Sequence, residues 1–139
     1  MTGTKKPKPG QTSGTDKSPQ KTATTVSKGR IYEKRVAAYL KDRGYWIRER
    51  NFRCFYGEID LIAQKGQALF FIEVKGQKRA QQAELKVNRA KRQRILNASV
   101  EYLRRQNLWP DYAVHYDVAI VTGSQVCYYS DAFEWEGGW

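Results

Sequence analysis

The feature that most limits how this chain can fold is a pair of alternating apolar segments, Glu58 to Gln64 and Ala68 to Lys75, separated only by Lys65-Gly66-Gln67. Segments of this length and pattern predict strands, and so short a spacer makes them antiparallel neighbours. With Gly66 and Gln67 as the two loop residues, Lys65 pairs with Ala68, and glycine at the first loop position is what a type II′ turn requires. Counting outward, Asp60 falls opposite Glu73 and Glu58 opposite Lys75, while Ile59, Leu61, Ile72 and Val74 form an apolar opposite face. Facing side chains have β-carbons about 4.5 to 5.5 Å apart, so this register forces two carboxylates together.

Adjacent like charges destabilise a strand pair unless a proton or a cation sits between them. A hard divalent ion resolves the conflict. Mg²⁺ takes oxygen ligands at about 2.0 to 2.1 Å and keeps several waters, so one or two carboxylates plus a substrate phosphate make an ordinary site. Lys75, two residues beyond Glu73 on the same face, is placed to orient or deprotonate an attacking water, or to neutralise charge developing at phosphorus. The pattern alone leaves a second reading equally open. In it Asp60, Glu73, Glu58 and Lys75 are a solvated sheet face of cross-strand salt bridges worth about 0.2 to 1 kcal/mol each. Glu33 shares helical spacing with Val36, Ala37 and Leu40. It is either a third ligand on the inward stripe or an edge residue reaching water.

Around the hairpin, helical spacing predicts a first helix from Gly29, stopped by Gly44. Tyr45 to Arg50 forms a weak strand, and a long basic helix runs from about Ala83 to Gln106, followed by strands Val114 to Val121 and Val126 to Tyr129. The order α-β-β-β-α-β-β indicates an α/β domain, a mixed sheet flanked by helices. Residues 1 to 28 contain Pro7, Pro9 and Pro19 and little that is aliphatic, and are expected to be a disordered basic tail before a single domain at 29 to 139.

Lys and Arg number 25 against 14 Asp and Glu, a net charge of +11. The tail holds six of the lysines and one aspartate, so both it and the domain are basic, which favours a polyanionic partner. On the second helix Lys86, Arg89, Lys91, Arg92 and Arg94 crowd cations at spacings that repel in isolation and that a phosphate backbone would relieve. Arg48, Arg50 and Arg53 extend the expected track. Lys91, four residues before Ile95, aims nearer the sheet. No apolar stretch approaches the roughly 20 residues of a membrane span, and no apolar segment follows the N-terminal lysines, so a cytoplasmic protein without a membrane partner is expected.

Other chemistries lack a starting point. Cys54 and Cys127 with the single His115 are too few for structural zinc, and the two cysteines are expected to be buried, reduced thiols. No P-loop, G-x-G-x-x-G or G-x-S-x-G is present. Tyr128, Tyr129, Phe133, Trp135 and Trp139 are expected in the core or a dimer contact rather than stacked on bases.

Gly29-x-x-x-Glu33, Tyr39-Leu40 with Gly44-Tyr45, Arg50-Asn51-Phe52-Arg53, Gly57-Glu58-Ile59-Asp60-Leu61-Ile62, Glu73-Val74-Lys75, Lys91 with Ala98 and Tyr102-Leu103, and Tyr116-Asp117-Val118 occur here in one order. Over about residues 29 to 133 this resembles the YraN-type family of small bacterial proteins. That family looks like a branch of the PD-(D/E)XK nuclease superfamily and is similar to archaeal Holliday-junction resolvases. The resemblance implies a restriction-endonuclease-like sheet and an endonuclease acting on DNA, including branched or structured DNA. In it Asp60, Glu73 and the Val74 carbonyl hold Mg²⁺ or Mn²⁺, Glu33 matches a helix-one glutamate, and Lys75 assists the attacking water. The resolvase-like relatives act as pairs, which suggests a homodimer. A binding module on the same fold without catalysis is the alternative. Where the family commonly reads E-V-K-x-R, this chain has Gly76 and Gln77 after the lysine, which bears on phosphate affinity more than on metal binding. Arg79 or Lys78 is a candidate substitute.

Overall fold

Five strands rich in Ile, Val, Leu, Phe and Tyr form one mixed sheet between two helices. The computed structural model describes residues 20–77 and 87–134, with side chains from residue 29 onward. The elements are α1 (Gln20–Asp42), β1 (Trp46–Cys54), β2 (Gly57–Lys65), β3 (Ala68–Gln77), α2 (Arg89–Gln106), β4 (Ala113–Thr122) and β5 (Gln125–Phe133). Spatial order equals chain order, β1-β2-β3-β4-β5, and every pairing is antiparallel except β3 with β4, which α2 connects. This is the α/β arrangement and the element order expected from the sequence.

Each face of the sheet has its own core. Val36 and Leu40 of α1 pack with Leu61, Ala63, Ile72, Ala119 and Val121. On the other face Ile95, Leu96, Ala98, Tyr102 and Leu103 of α2 cover Ile62, Leu69, Phe71, Tyr116, Val118 and Ile120. Tyr116 to Val121 is buried without a break, because β4 lies inside the sheet and is covered on both sides. Tyr128 packs against the α1 side, and Tyr129 and Phe133 against the α2 side, so these aromatics serve the core. Cys54 and Cys127 are free thiols. Neither is buried as expected: Cys54 is half-buried near the end of the β1–β2 hairpin, and Cys127 is exposed on β5, an edge strand.

Helix boundaries differ most from the sequence reading. α1 begins at Gln20, so residues 20 to 28, assigned above to the disordered tail, have helical backbone. No proline interrupts that stretch, and the about 1 kcal/mol propensity cost of Gly29 is too small to stop a helix whose next turns are anchored by Val36 and Leu40. Gly44 does end it, at φ +90, with the Tyr45 N–H closing onto the Leu40 carbonyl. α2 starts at Arg89 rather than near Ala83, because the Asn88 side chain accepts the Lys91 N–H at 2.8 Å and caps the helix there. Residues 1 to 19, Lys78, Arg79, Lys86, Trp135 and Trp139 lie outside the described residues. Among the described residues no helix is long and apolar enough to cross a membrane.

Candidate active site

The expected hairpin register holds from Lys65 with Ala68 to Leu61 with Ile72, and there the β2–β3 ladder stops. The same register would next join Ile59 to Val74 through backbone hydrogen bonds. Instead the Val74 N–H donates to Asp60 Oδ2 at 2.8 Å. A carboxylate thus stands in for a strand carbonyl, and the two strands part at this point. The partner strand changes as well. Asn51 on β1, between the Arg50–Leu61 and Phe52–Ile59 pairs, takes a left-handed φ of 54, which asparagine tolerates better than most residues. Beyond it the ribbon rolls over: Leu61 faces the α1-side core, whereas Phe52 and Ile59 join the α2-side core. Asp60 sits at that crossover.

Glu73 is only 5% exposed, and Lys91 Nζ lies 2.5 Å from its Oε2. Asp60 is half-buried, with its carboxyl enclosed. Burial first, and then the Glu73 charge, push the Asp60 carboxyl up to about 7, against the lowering effect of the Val74 N–H. Glu33 adds to the rise and Lys91 opposes it. The Lys91 ammonium is held above its ordinary range: burial lowers it, but the hydrogen bond and charge of Glu73, with Asp60 and Glu58 behind, outweigh that. Two enclosed carboxylates therefore do converge, and a lysine from α2 is their counter-ion. Lys91, expected on the phosphate track, belongs to this cluster, and its position four residues before Ile95 is the sequence signal for it.

Glu33 is half-buried at the edge of the α1 stripe and accepts from Asn51 Nδ2 at 3.1 Å. Among the described residues no three Asp, Glu, His or Cys side chains group closely enough to hold a metal ion. Glu33 is thus paired with Asn51 rather than grouped with Asp60 and Glu73, a contact that its place on the helix stripe does not reveal. The donor set that remains, two carboxylates in electrostatic conflict beside a strand carbonyl, suits a hard oxygen-seeking cation.

The other expected residues divide. Lys75 follows Glu73 on the α2 side of β3 and is half-buried. Glu58, expected across from Lys75, lies beyond the end of the β2–β3 ladder and is bonded across β1 by Arg53 at 2.9 Å. Arg53, Gly29, Arg30, Glu33 and Asn51 line one open cleft, and Arg48 and Arg50 line another with Lys41 and Trp46. Arg48 is held by Tyr102 Oη at 2.8 Å and Gln64 Oε1 at 2.6 Å. On α2, Arg89 and Arg94 are exposed, whereas Arg92 is half-buried and donates to the Val87 carbonyl at 3.3 Å.

Residues 32–121, from α1 through β4, match the model of the family described as Uncharacterised protein family UPF0102. The chain belongs to the UPF0102 family. A UPF0102 protein of Syntrophus aciditrophicus is 38% identical over 112 residues, covering 76% of this chain and 87% of the relative. One from Dechloromonas aromatica is 37% identical over 112 residues, covering 79% and 91%, and one from Kosmotoga olearia is 39% identical over 80 residues, covering 58% and 70%. The YraN-type resemblance carried by the sequence motifs is borne out, and the UPF0102 match encloses Glu33, Asn51, Asp60, Glu73, Lys75 and Lys91.

In this UPF0102 chain the residues after Lys75 have local reasons. A β-carbon on Gly76 would lie 1.9 Å from the Tyr32 ring of α1, so the aromatic side chain rests directly on the strand backbone. Gln77 reaches β4, with Nε2 3.4 Å from Thr122 Oγ1.

A third carboxylate is enclosed, on the α1 side of the UPF0102 fold. Asp117 is 0% exposed and accepts from the Tyr128 hydroxyl and from the Asp131 N–H at 2.7 Å. Burial pushes its carboxyl above the ordinary range despite those donors. A raised folded-state value means that its contribution to stability is complete below the unfolded carboxyl range and is lost as pH rises through the folded value. Asp117→Asn keeps an oxygen for Asp131 and removes the charge, so its stability relative to wild type is expected to improve between pH 4 and pH 8. Urea melts at the two pH values check this, and a difference that does not change with pH overturns it.

Proposed function

We propose that this chain is a divalent-metal-dependent endonuclease that hydrolyses phosphodiester bonds of DNA on a restriction-endonuclease-like sheet. The observation that carries the reading is the convergence of the Asp60 and Glu73 carboxylates where β2 and β3 part. Folding alone gains little from two acids sharing an enclosed site, and such perturbed groups concentrate at functional sites. Asp60, Glu73 and the Val74 carbonyl would hold Mg²⁺ or Mn²⁺. The bound ion supplies Lewis acidity toward a phosphate oxygen. Lys75 orients the attacking water and donates to the phosphate as negative charge grows on it. Lys91 neutralises Glu73, and with a cation held there its amine would be free to bind a phosphate. Gln77 in place of the family's arginine leaves phosphate holding to the cations of α2.

The test is cleavage of single-stranded, duplex, flap and four-way DNA with Mg²⁺ and with Mn²⁺, using Glu73→Ala as control. Cleavage that needs the metal and vanishes in the variant is expected; no cleavage of any substrate overturns the reading. The 2.5 Å pair of Lys91 with Glu73 favours one alternative, a binding module in which the amine permanently occupies the cation's place. Calorimetric titration with Mn²⁺ separates the two, because the module takes up no metal.

Phosphate contact by α2 has its own signature. Each neutralised phosphate contributes about 0.9 to the slope of log affinity against log salt. Arg89→Ala with Arg94→Ala is expected to flatten that slope by about 2 and to weaken binding evenly across DNA sequences. An unchanged slope removes α2 from the interface.

A further inference from the structure

The hairpin that carries Asp60 ends in a turn whose residues have no folding reason to be aromatic. Cys54 and Gly57 are the last paired residues of β1 and β2, leaving Phe55 and Tyr56 as a two-residue loop. Such loops favour Asn, Asp and Gly, and neither residue here takes a positive φ. Phe55 is 93% exposed and Tyr56 46%. Their rings meet edge to face with centroids 5.3 Å apart, and Phe55 is in neither core cluster. A local rule broken with no gain to the fold marks a surface kept for binding.

The surroundings say what it binds. Arg53 and Glu58 flank the turn on the strands, and Arg94 of α2 stands against Gly57. Arg53 also lines the cleft that contains Glu33 and Asn51. Phe55 lies five residues from Asp60, two of the steps within the turn, so the separation is at most about 16 Å at about 3.3 Å per residue. That is at most about five base steps at 3.4 Å each. Two rings among interleaved cations and carboxylates are too small an apolar surface to anchor in a bilayer, whereas every nucleobase offers a flat face to such a ring.

We propose that Phe55 is a specificity wedge. It stacks on a nucleobase at an unpaired or opened step while the backbone on one side of that step runs toward Asp60 and Glu73. The proposal rests on the nuclease reading for the direction of the strand but not for the stacking itself. It gives the site a substrate class, DNA with an interrupted base stack.

The experiment uses the full chain in EDTA, a forked duplex with 2-aminopurine at the first unpaired position, and a continuous duplex of the same sequence. Phe55→Ala is expected to bind the fork about 10- to 100-fold more weakly than wild type and the duplex within about twofold. The 2-aminopurine emission change of wild type disappears in Phe55→Ala and returns in Phe55→Trp. Thermal melts should be alike, since the ring contributes nothing to the core. Equal losses on both DNAs, no loss on the fork, or binding of phosphatidylglycerol vesicles in place of DNA overturns the wedge. If Phe55→Ala matches wild type on the fork while Asp60→Asn still abolishes cleavage, the wedge fails and the nuclease reading stands. If no protein cleaves but fork binding depends on Phe55, the nuclease reading fails and the wedge stands.

Discussion

Asp60→Asn is expected to reduce metal-dependent cleavage by about a thousandfold or more while leaving the protein folded and at least as stable near neutral pH. A thousandfold corresponds to about 4 kcal/mol of transition-state stabilisation at 1.36 kcal/mol per decade, within what a bound divalent ion supplies. The fold tolerates the change because asparagine retains an oxygen for the Val74 N–H, the bond that Asp60 Oδ2 makes at 2.8 Å. It also removes one of two enclosed like charges, the conflict with Glu73 that helps push the Asp60 carboxyl up to about 7. Asp60→Ala is the informative contrast. It loses activity equally but strands the Val74 N–H, at a cost of about 1 to 3 kcal/mol. Single-turnover cleavage and thermal melting of both variants check this. Cleavage by Asp60→Asn within tenfold of wild type would show that the carboxylate is not needed, and the proposed chemistry would go with it.

Gly76→Ala is the substitution expected to harm the fold most. The added carbon would sit 1.9 to 2.3 Å from three atoms of the Tyr32 ring, well inside contact distance. Tyr32 cannot simply swing aside, because it packs against the core between α1 and the sheet. Overpacking of this kind costs about 1 to 3 kcal/mol, or about 4 to 15 °C in Tm for a domain near 100 residues. Gly76 directly follows Lys75, so a shifted strand also moves that amine, and activity should fall with stability. Tyr32→Ala in the same chain makes room for the new carbon, and the double variant should recover at least 1 kcal/mol relative to the sum of the single changes. Additive losses would mean that the ring and the strand are not in contact.

Much of this arrangement was legible from residue order. A hairpin around Gly66-Gln67 follows from turn chemistry, and its register follows from alternating apolar residues, because a slip by one would turn Leu61 and Ile72 out of the core. That is enough to send Asp60 and Glu73 toward each other. The basic character of α2 and the end of α1 at Gly44 are likewise local properties, as is the Asn88 cap, which the sequence displays although the helix was expected to start earlier. Helix starts are harder to read, since the cost of one glycine is small beside the burial of the next two turns.

What only the tertiary structure decided is where pairing stops and who neutralises whom. The ladder ends at Leu61 and Ile72 because the Asp60 carboxylate captures a backbone N–H, a competition between side chain and carbonyl that no spacing encodes. Lys91 reaches Glu73, Asn51 takes Glu33, and Tyr32 covers Gly76 across gaps of 18 to 44 residues in sequence. These contacts depend on how α1 and α2 are seated on opposite faces of the sheet, and that seating is set by burial summed over both cores. Periodicity fixes which face of an element is apolar; the packed structure alone fixes which polar groups meet at its margin.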